Sequence, residues 1–157
     1  MTAVTTVHTD FVIERELPAT PARAFRAWAT PEAKRRWFVC HDDMVNVGYE
    51  LDFRPGGHEL NRVRRPDGVE HLFQARFFDI VPERRIIYGY HMQVGAQRLS
   101  VSLATVEFEP SGAGTRMRFT EQVAFLDGYS DREDRIRGTA EGLDRLALLL
   151  HEPERAH

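Results

Sequence analysis

The stretch from Asp131 to Leu150, DREDRIRGTAEGLDRLALLL, constrains this chain most, because it reads as one long amphipathic helix after a series of strand-like segments. Ile136, Ala140, Leu143, Ala147 and Leu150 recur at spacings of three and four and therefore share a face. Asp131 is placed to cap the N-terminus, with Asp134 three residues later. At about 1.5 Å per residue the helix is roughly 30 Å long, enough to lie across a small sheet. Such a helix over a strongly curved antiparallel sheet encloses a pocket, so the functional question becomes what that pocket holds.

The preceding residues supply the sheet. Phe11 to Leu17 alternates weakly and reads as a first strand, ended by Pro18 and Pro21. Thr20 and Pro21 open a short helix over Ala22 to Trp28, and Thr30-Pro31-Glu32 repeats that start signal before a second over Ala33 to Phe38. Six further strand-like stretches follow: Met44–Val47 with Tyr49–Arg54 (broken at Gly48), His58–Arg64, His71–Ile80, Arg85–Met92, Leu99–Glu109 and Thr115–Phe125. Gly- and Pro-rich turns separate several of them, notably PGG at 55–57 and PSGAG at 110–114. The order β, α, α, strands, α predicts one α+β domain over residues 1–157, with its core at about 11–150.

Apolar residues make up 42% of the chain, too many for a disordered polymer, and no apolar run approaches the ~20 residues that span a bilayer. Neither secretion nor membrane insertion is expected. Cys40 is the single cysteine, so no internal disulfide forms and the expected compartment is the cytoplasm. The net charge of −3 argues against nucleic-acid binding, and Lys34-Arg35-Arg36 and Arg64-Arg65 read as solvated surface.

Strand parity selects side chains for the pocket. Ile86, Tyr88, Tyr90 and Met92 are bulkier than the alternating Ile87, Gly89 and His91, which assigns the first set to the concave face. The same rule directs Met117, Phe119 and Glu121 inward. A carboxylate on an apolar face must be paired, protonated or used, so Glu121 is a polar anchor for a ligand, a general base, one half of a salt bridge at the sheet's end, or turned outward by a bulge. His41-Asp42-Asp43, His58-Glu59 and His71 contain metal-ligand types but match no ligand spacing, so no metal is expected. Cys40 beside His41 lacks an evident third member of a nucleophilic triad and reads as structural. Ser100, Ser102 and Thr105 offer hydroxyls on one strand. Gly138 and Gly142, four apart in the last helix, mean either room for a ligand or close packing against the sheet.

The segments ELPATPARAFRAWATPEAKRRWF, GYELDFRPGGHEL, FFDIVPERRIIYGY, GTRMRFTEQVAFLDGY and GLDRLALLL, in this order, resemble the family named after the C-terminal domain of the activator of heat-shock protein 90 ATPase. That family belongs to the START-like, or polyketide-cyclase-like (SRPBCC), superfamily. The resemblance runs from about Phe11 to Leu150. It implies the helix-grip fold, a curved antiparallel sheet wrapped around a long C-terminal helix with an apolar cavity between them. Two departures bear on cavity shape: His58 and Leu60 follow the paired glycines where an aromatic is common, and Gly142-Leu143 stands where Gly-Trp is common.

The combined expectation is a binding protein, rather than an enzyme, holding a small apolar or aromatic molecule without metal or cofactor. Trp37, Phe73, Tyr88, Tyr90, Met92, Glu121 and Leu143 are the expected lining. The alternatives are a cyclase- or hydrolase-like activity on a polyketide or aromatic substrate, and a chaperone-interaction module. The chain is too short to carry the activator's second domain, so a chaperone partner is not expected. A homodimer stays open.

Overall fold

A computed structural model describes residues 4–39 and 43–153. The elements follow the order β1 (Thr6–Leu17), α1 (Pro21–Ala29), α2 (Pro31–Trp37), β2 (Val45–Leu51), β3 (His58–Arg64), β4 (Glu70–Val81), β5 (Arg85–Val94), β6 (Gln97–Ser111), β7 (Gly114–Leu126) and α3 (Arg132–His151). The seven strands form one antiparallel sheet in the order β1-β7-β6-β5-β4-β3-β2. Six strands are thus a meander, and the first strand returns to pair with the last. This is the α+β helix-grip architecture.

Local chemistry sets the helix starts. The Thr20 hydroxyl accepts from the Arg23 amide at 3.3 Å, with Pro21 at the first helical position. Thr30 makes no such cap for α2, and its hydroxyl instead bonds back to the Arg26 carbonyl. Asp131 caps α3 by accepting from the Asp134 amide at 3.0 Å. Of the paired glycines, Gly56 sits at φ +82°, and a Cβ on Gly57 would lie 2.1 Å from the Asp52 carbonyl oxygen. Only a residue without a side chain lets the chain turn that tightly here.

Several boundaries differ from the sequence expectation. β1 begins at Thr6, because its N-terminal half is held by backbone pairing with β7 rather than by buried apolar side chains. The stretch around Gly48 is one strand, with a register shift between Asn46 and Gly48, so the glycine accommodates a bulge instead of breaking the strand.

The core is the concave face of the sheet, with α1, α2 and α3 packed against it. Ile86, Tyr88, Tyr90, Met117 and Phe119 are buried on it, as parity requires. A chain of ring contacts at 4.7–6.0 Å links Phe25, Phe53, Phe77, Tyr88, Tyr90, Phe73, Phe38, Trp37 and Trp28. On α3 the buried stripe is Arg135, Leu143, Leu146 and Leu150, while Ile136, Ala140 and Ala147 are half-buried at its margin. The helix is therefore rolled slightly from the face its aliphatic residues mark, and an arginine occupies the first inward position. Among the described residues no helix is long and apolar enough to cross a membrane.

Candidate functional site

A cavity of about 300 Å³ lies between α3 and the sheet. Trp37, Phe73, Tyr88, Tyr90, Met92, Glu121 and Leu143 all stand on its wall. Trp28 and Phe38 from the short helices, Phe119 from β7, and Arg135, Gly138 and Gly142 from α3 complete much of it. The two glycines are not packed closely, Gly138 being exposed and Gly142 half-buried. A Cβ on Gly138 would meet nothing within 4 Å, and one on Gly142 would meet only the Arg145 guanidinium at 3.8 Å. Neither is a close-packing point against the sheet.

The polar end of the cavity is built around Glu121, which is fully buried in the middle of β7, between Phe11 of β1 and Ala104 of β6. It is half of an interior salt bridge, not one at the sheet's end. Arg135 donates from Nη1 to Oε2 at 3.0 Å. The Tyr90 and Ser102 hydroxyls donate to the same oxygen at 2.6 and 2.8 Å. Arg135 Nη2 also donates to the Ser100 hydroxyl at 2.6 Å, and its guanidinium lies 5.3 Å from the Phe125 ring centre. Thus Ser100 and Ser102 serve the ion pair, whereas Thr105 sits on the opposite parity of β6. Glu121 Oε1 has no hydrogen-bond partner among the described residues, and neither does the buried Trp28 indole Nε1.

A second buried charge cluster was not foreseen. Lys34, expected on the surface, is 2% exposed and bonds both carboxylate oxygens of Glu59 at 3.1 Å. Tyr49 donates to Glu59 Oε2 at 2.6 Å. The ammonium also faces the rings of Trp28, Trp37 and Phe38 at 4.9, 5.1 and 4.2 Å. The signals were present but disguised by charge. Lys34 shares a helix face with Trp37 and Phe38, and Glu59 has the parity of buried Val63.

The remaining candidates separate. Glu59 is committed to Lys34, His58 is exposed, and His71 lies on the cavity wall. Among the described residues no three His, Cys, Asp or Glu side chains gather as a metal site. Cys40, His41 and Asp42 lie outside the described residues.

Burial, reinforced by nearby carboxylates, pushes the phenols of Tyr49, Tyr88 and Tyr90 well above the ordinary value of 10.0. Burial pulls the Lys34 ammonium below 10.5, with Glu59 opposing. For a tyrosine whose native pKa is raised, the folded state keeps a proton that the unfolded state loses. Its stabilisation is intact below about pH 10 and falls as pH rises above it, by up to about 1.4 kcal/mol per pH unit for each fully buried phenol. Lys34 acts in the opposite sense, but only between its lowered native value and 10.5. Denaturant unfolding between pH 10 and 11.5 is expected to show a steep loss of stability, made shallower by Tyr88→Phe. Tyrosinate absorbance rising in the folded protein with an ordinary midpoint for every tyrosine would contradict this.

Comparison with known proteins places the chain. An uncharacterised protein from Rhizobium leguminosarum, solved at 1.9 Å, is 53% identical, with 96% of this chain and 99% of that one covered and a TM-score of 0.92. The Mll3558 protein from Rhizobium loti is 43% identical over 92% of this chain and 98% of its own, with a TM-score of 0.86. Protein CV1439 from Chromobacterium violaceum, at 24% identity, 92% and 98% coverage and a TM-score of 0.79, shares the fold. No functionally curated protein matches the chain. The sequence profile described as activator of Hsp90 ATPase homolog 1-like protein matches residues 18–151, so the chain belongs to that family.

Proposed function

We propose that this protein binds a small, largely apolar or aromatic molecule in the cavity beneath α3. The observation that carries the reading is a cavity of about 300 Å³ walled mainly by aromatic and aliphatic side chains, with polar residues such as Asn61, Glu121 and Arg135 at a minority of positions. That combination of broad apolar contact and sparse polar groups is what small-molecule sites use for affinity and orientation. A proton-abstracting role for Glu121 finds less support, because Oε2 is already held by three donors.

Leu143, 2% exposed and on the cavity wall, provides the test. Leu143→Trp is expected to weaken binding of an apolar fluorescent probe at least tenfold while the fold persists, because the indole fills the cavity. In a dense core the same change is overpacking and costs about 1–3 kcal/mol. Probe titration and thermal melts on the one variant separate the cases: unchanged binding with a large drop in Tm would refute the reading. Native mass spectrometry of the purified protein gives an independent readout through any co-purified ligand.

A further inference from the structure

Charge is unevenly partnered along the wall of the proposed cavity. Among the described residues that wall carries the carboxylates of Glu121 and Asp134 and the guanidinium groups of Arg135 and Arg145. Arg135 pairs with Glu121 at 3.0 Å, and Asp134 pairs with Arg137 at 3.2 Å. Arg145 has no counter-ion among the described residues. Its Nε donates to the Trp37 carbonyl at 2.9 Å, a neutral acceptor at the end of α2. That bond satisfies a helix-terminal carbonyl and fixes the guanidinium in place. It uses the Nε–H alone and leaves the fork of Nη1 and Nη2 for another acceptor.

The position of Arg145 suits a ligand's charged end. The residue is half-buried, and its Nη2 lies 3.8 Å from where a Cβ on Gly142 would stand, on the same cavity wall. Asp134 and Arg135 lie eleven and ten residues earlier on α3, about 15 Å along the helix axis. The wall therefore holds a neutralised ion pair towards one end of α3 and an uncompensated cation towards the other. We infer that the cavity takes amphipathic anions, molecules with an apolar or aromatic body and a carboxylate that pairs with Nη1 and Nη2 of Arg145. The planar fork matches the two carboxylate oxygens, and such charge-assisted pairs are stronger than neutral hydrogen bonds. Partial exposure of Arg145 lets the bound carboxylate keep some of its hydration, which limits the desolvation that makes fully buried pairs costly. This rests on the ligand-binding reading above and adds the charge of the ligand to it. Glu121, the anchor expected from strand parity, already has its cation in Arg135.

A series of matched probes tests it on the wild-type chain by titration calorimetry or tryptophan fluorescence. The probes are biphenyl, para-biphenylcarboxylate, its uncharged carboxamide, and para-biphenylmethylammonium. The carboxylate is expected to bind at least about tenfold more tightly than the carboxamide or biphenyl, and the ammonium compound most weakly. In Arg145→Gln the carboxylate's advantage over the carboxamide is expected to disappear, while biphenyl affinity changes less than about twofold. Should that variant fail to fold, Arg145→Lys replaces it. Lysine keeps the charge but loses the fork, so carboxylate affinity is expected to fall several-fold with biphenyl affinity unchanged. A carboxamide that binds as well as the carboxylate, an ammonium compound that binds most tightly, or a carboxylate advantage that survives in the Arg145 variant overturns the inference while leaving ligand binding intact. Failure of every probe to bind removes the ligand-binding reading and this inference with it.

Discussion

Arg135→Met is expected to destabilise the protein by about 3–5 kcal/mol, a large share of the ~5–15 kcal/mol that holds a domain of this kind together. Methionine replaces much of the arginine's length but leaves Glu121 charged, fully buried and without its cation. Ser100 also loses its bond to Nη2. The pair itself is a different matter, because both charges were taken from water to form it. In Arg135→Met/Glu121→Gln no uncompensated charge remains, and the amide can still accept from Tyr90 or Ser102. Most of the lost stability is therefore expected to return. Urea unfolding of the two single variants and the double variant measures this directly. A cost below about 1 kcal/mol for Arg135→Met would make the contact no stronger than a surface bridge and contradict the account.

Lys34→Met is expected to have an effect of similar size, about 3–5 kcal/mol, for the same electrostatic reason. Glu59, 1% exposed, would retain only the Tyr49 hydroxyl, and the rings of Trp28, Trp37 and Phe38 would lose the cation they surround. Lys34→Met/Glu59→Gln keeps an acceptor for Tyr49 and is expected to recover most of the loss. Arg64→Met provides a reference, since its bridge to Glu70 is about half exposed on the arginine side and is expected to contribute no more than about 1 kcal/mol. Equal losses for Lys34→Met and Arg64→Met would show that burial adds nothing to the Lys34 contact.

The architecture was legible because it depends on patterns that survive without knowledge of partners. Period-two alternation assigned Tyr88, Tyr90, Met117, Phe119 and Glu121 to the concave face, and Asp131 with Asp134 located the start of α3. The ordered segments carried the family. What escaped detection was the rest of the inward charge, Lys34, Glu59 and Arg135. Lys34 was assigned to solvent because a charged side chain defaults there, although it lies three residues from buried Trp37 on its own helix, and Arg135 drew no assignment because the next buried position on α3 is Leu143, two turns on. Burial of an ion becomes tolerable only when another segment supplies the counter-ion, and those segments are 25 residues away for Lys34 and 14 for Arg135. No local pattern contains that information. The bulge near Gly48 was hidden for a related reason, since register is a property of two strands rather than one.

The return of β1 to β7 also has a kinetic side. Thr6 pairs with Leu126 and Leu17 with Thr115, so this ladder joins the first strand to the last, whereas β2 through β7 join by successive hairpins. Local hairpins close small loops; the β1–β7 ladder must close the long loop from Leu17 to Thr115, which raises contact order and slows folding. During synthesis β1 emerges first and has no sheet partner until β7 has left the ribosome. Its alternation of exposed and buried positions, with Glu14, Arg15 and Glu16 near its end, is then more than an adaptation to the finished sheet. Those charges keep a waiting strand soluble and discourage it from pairing with the wrong edge.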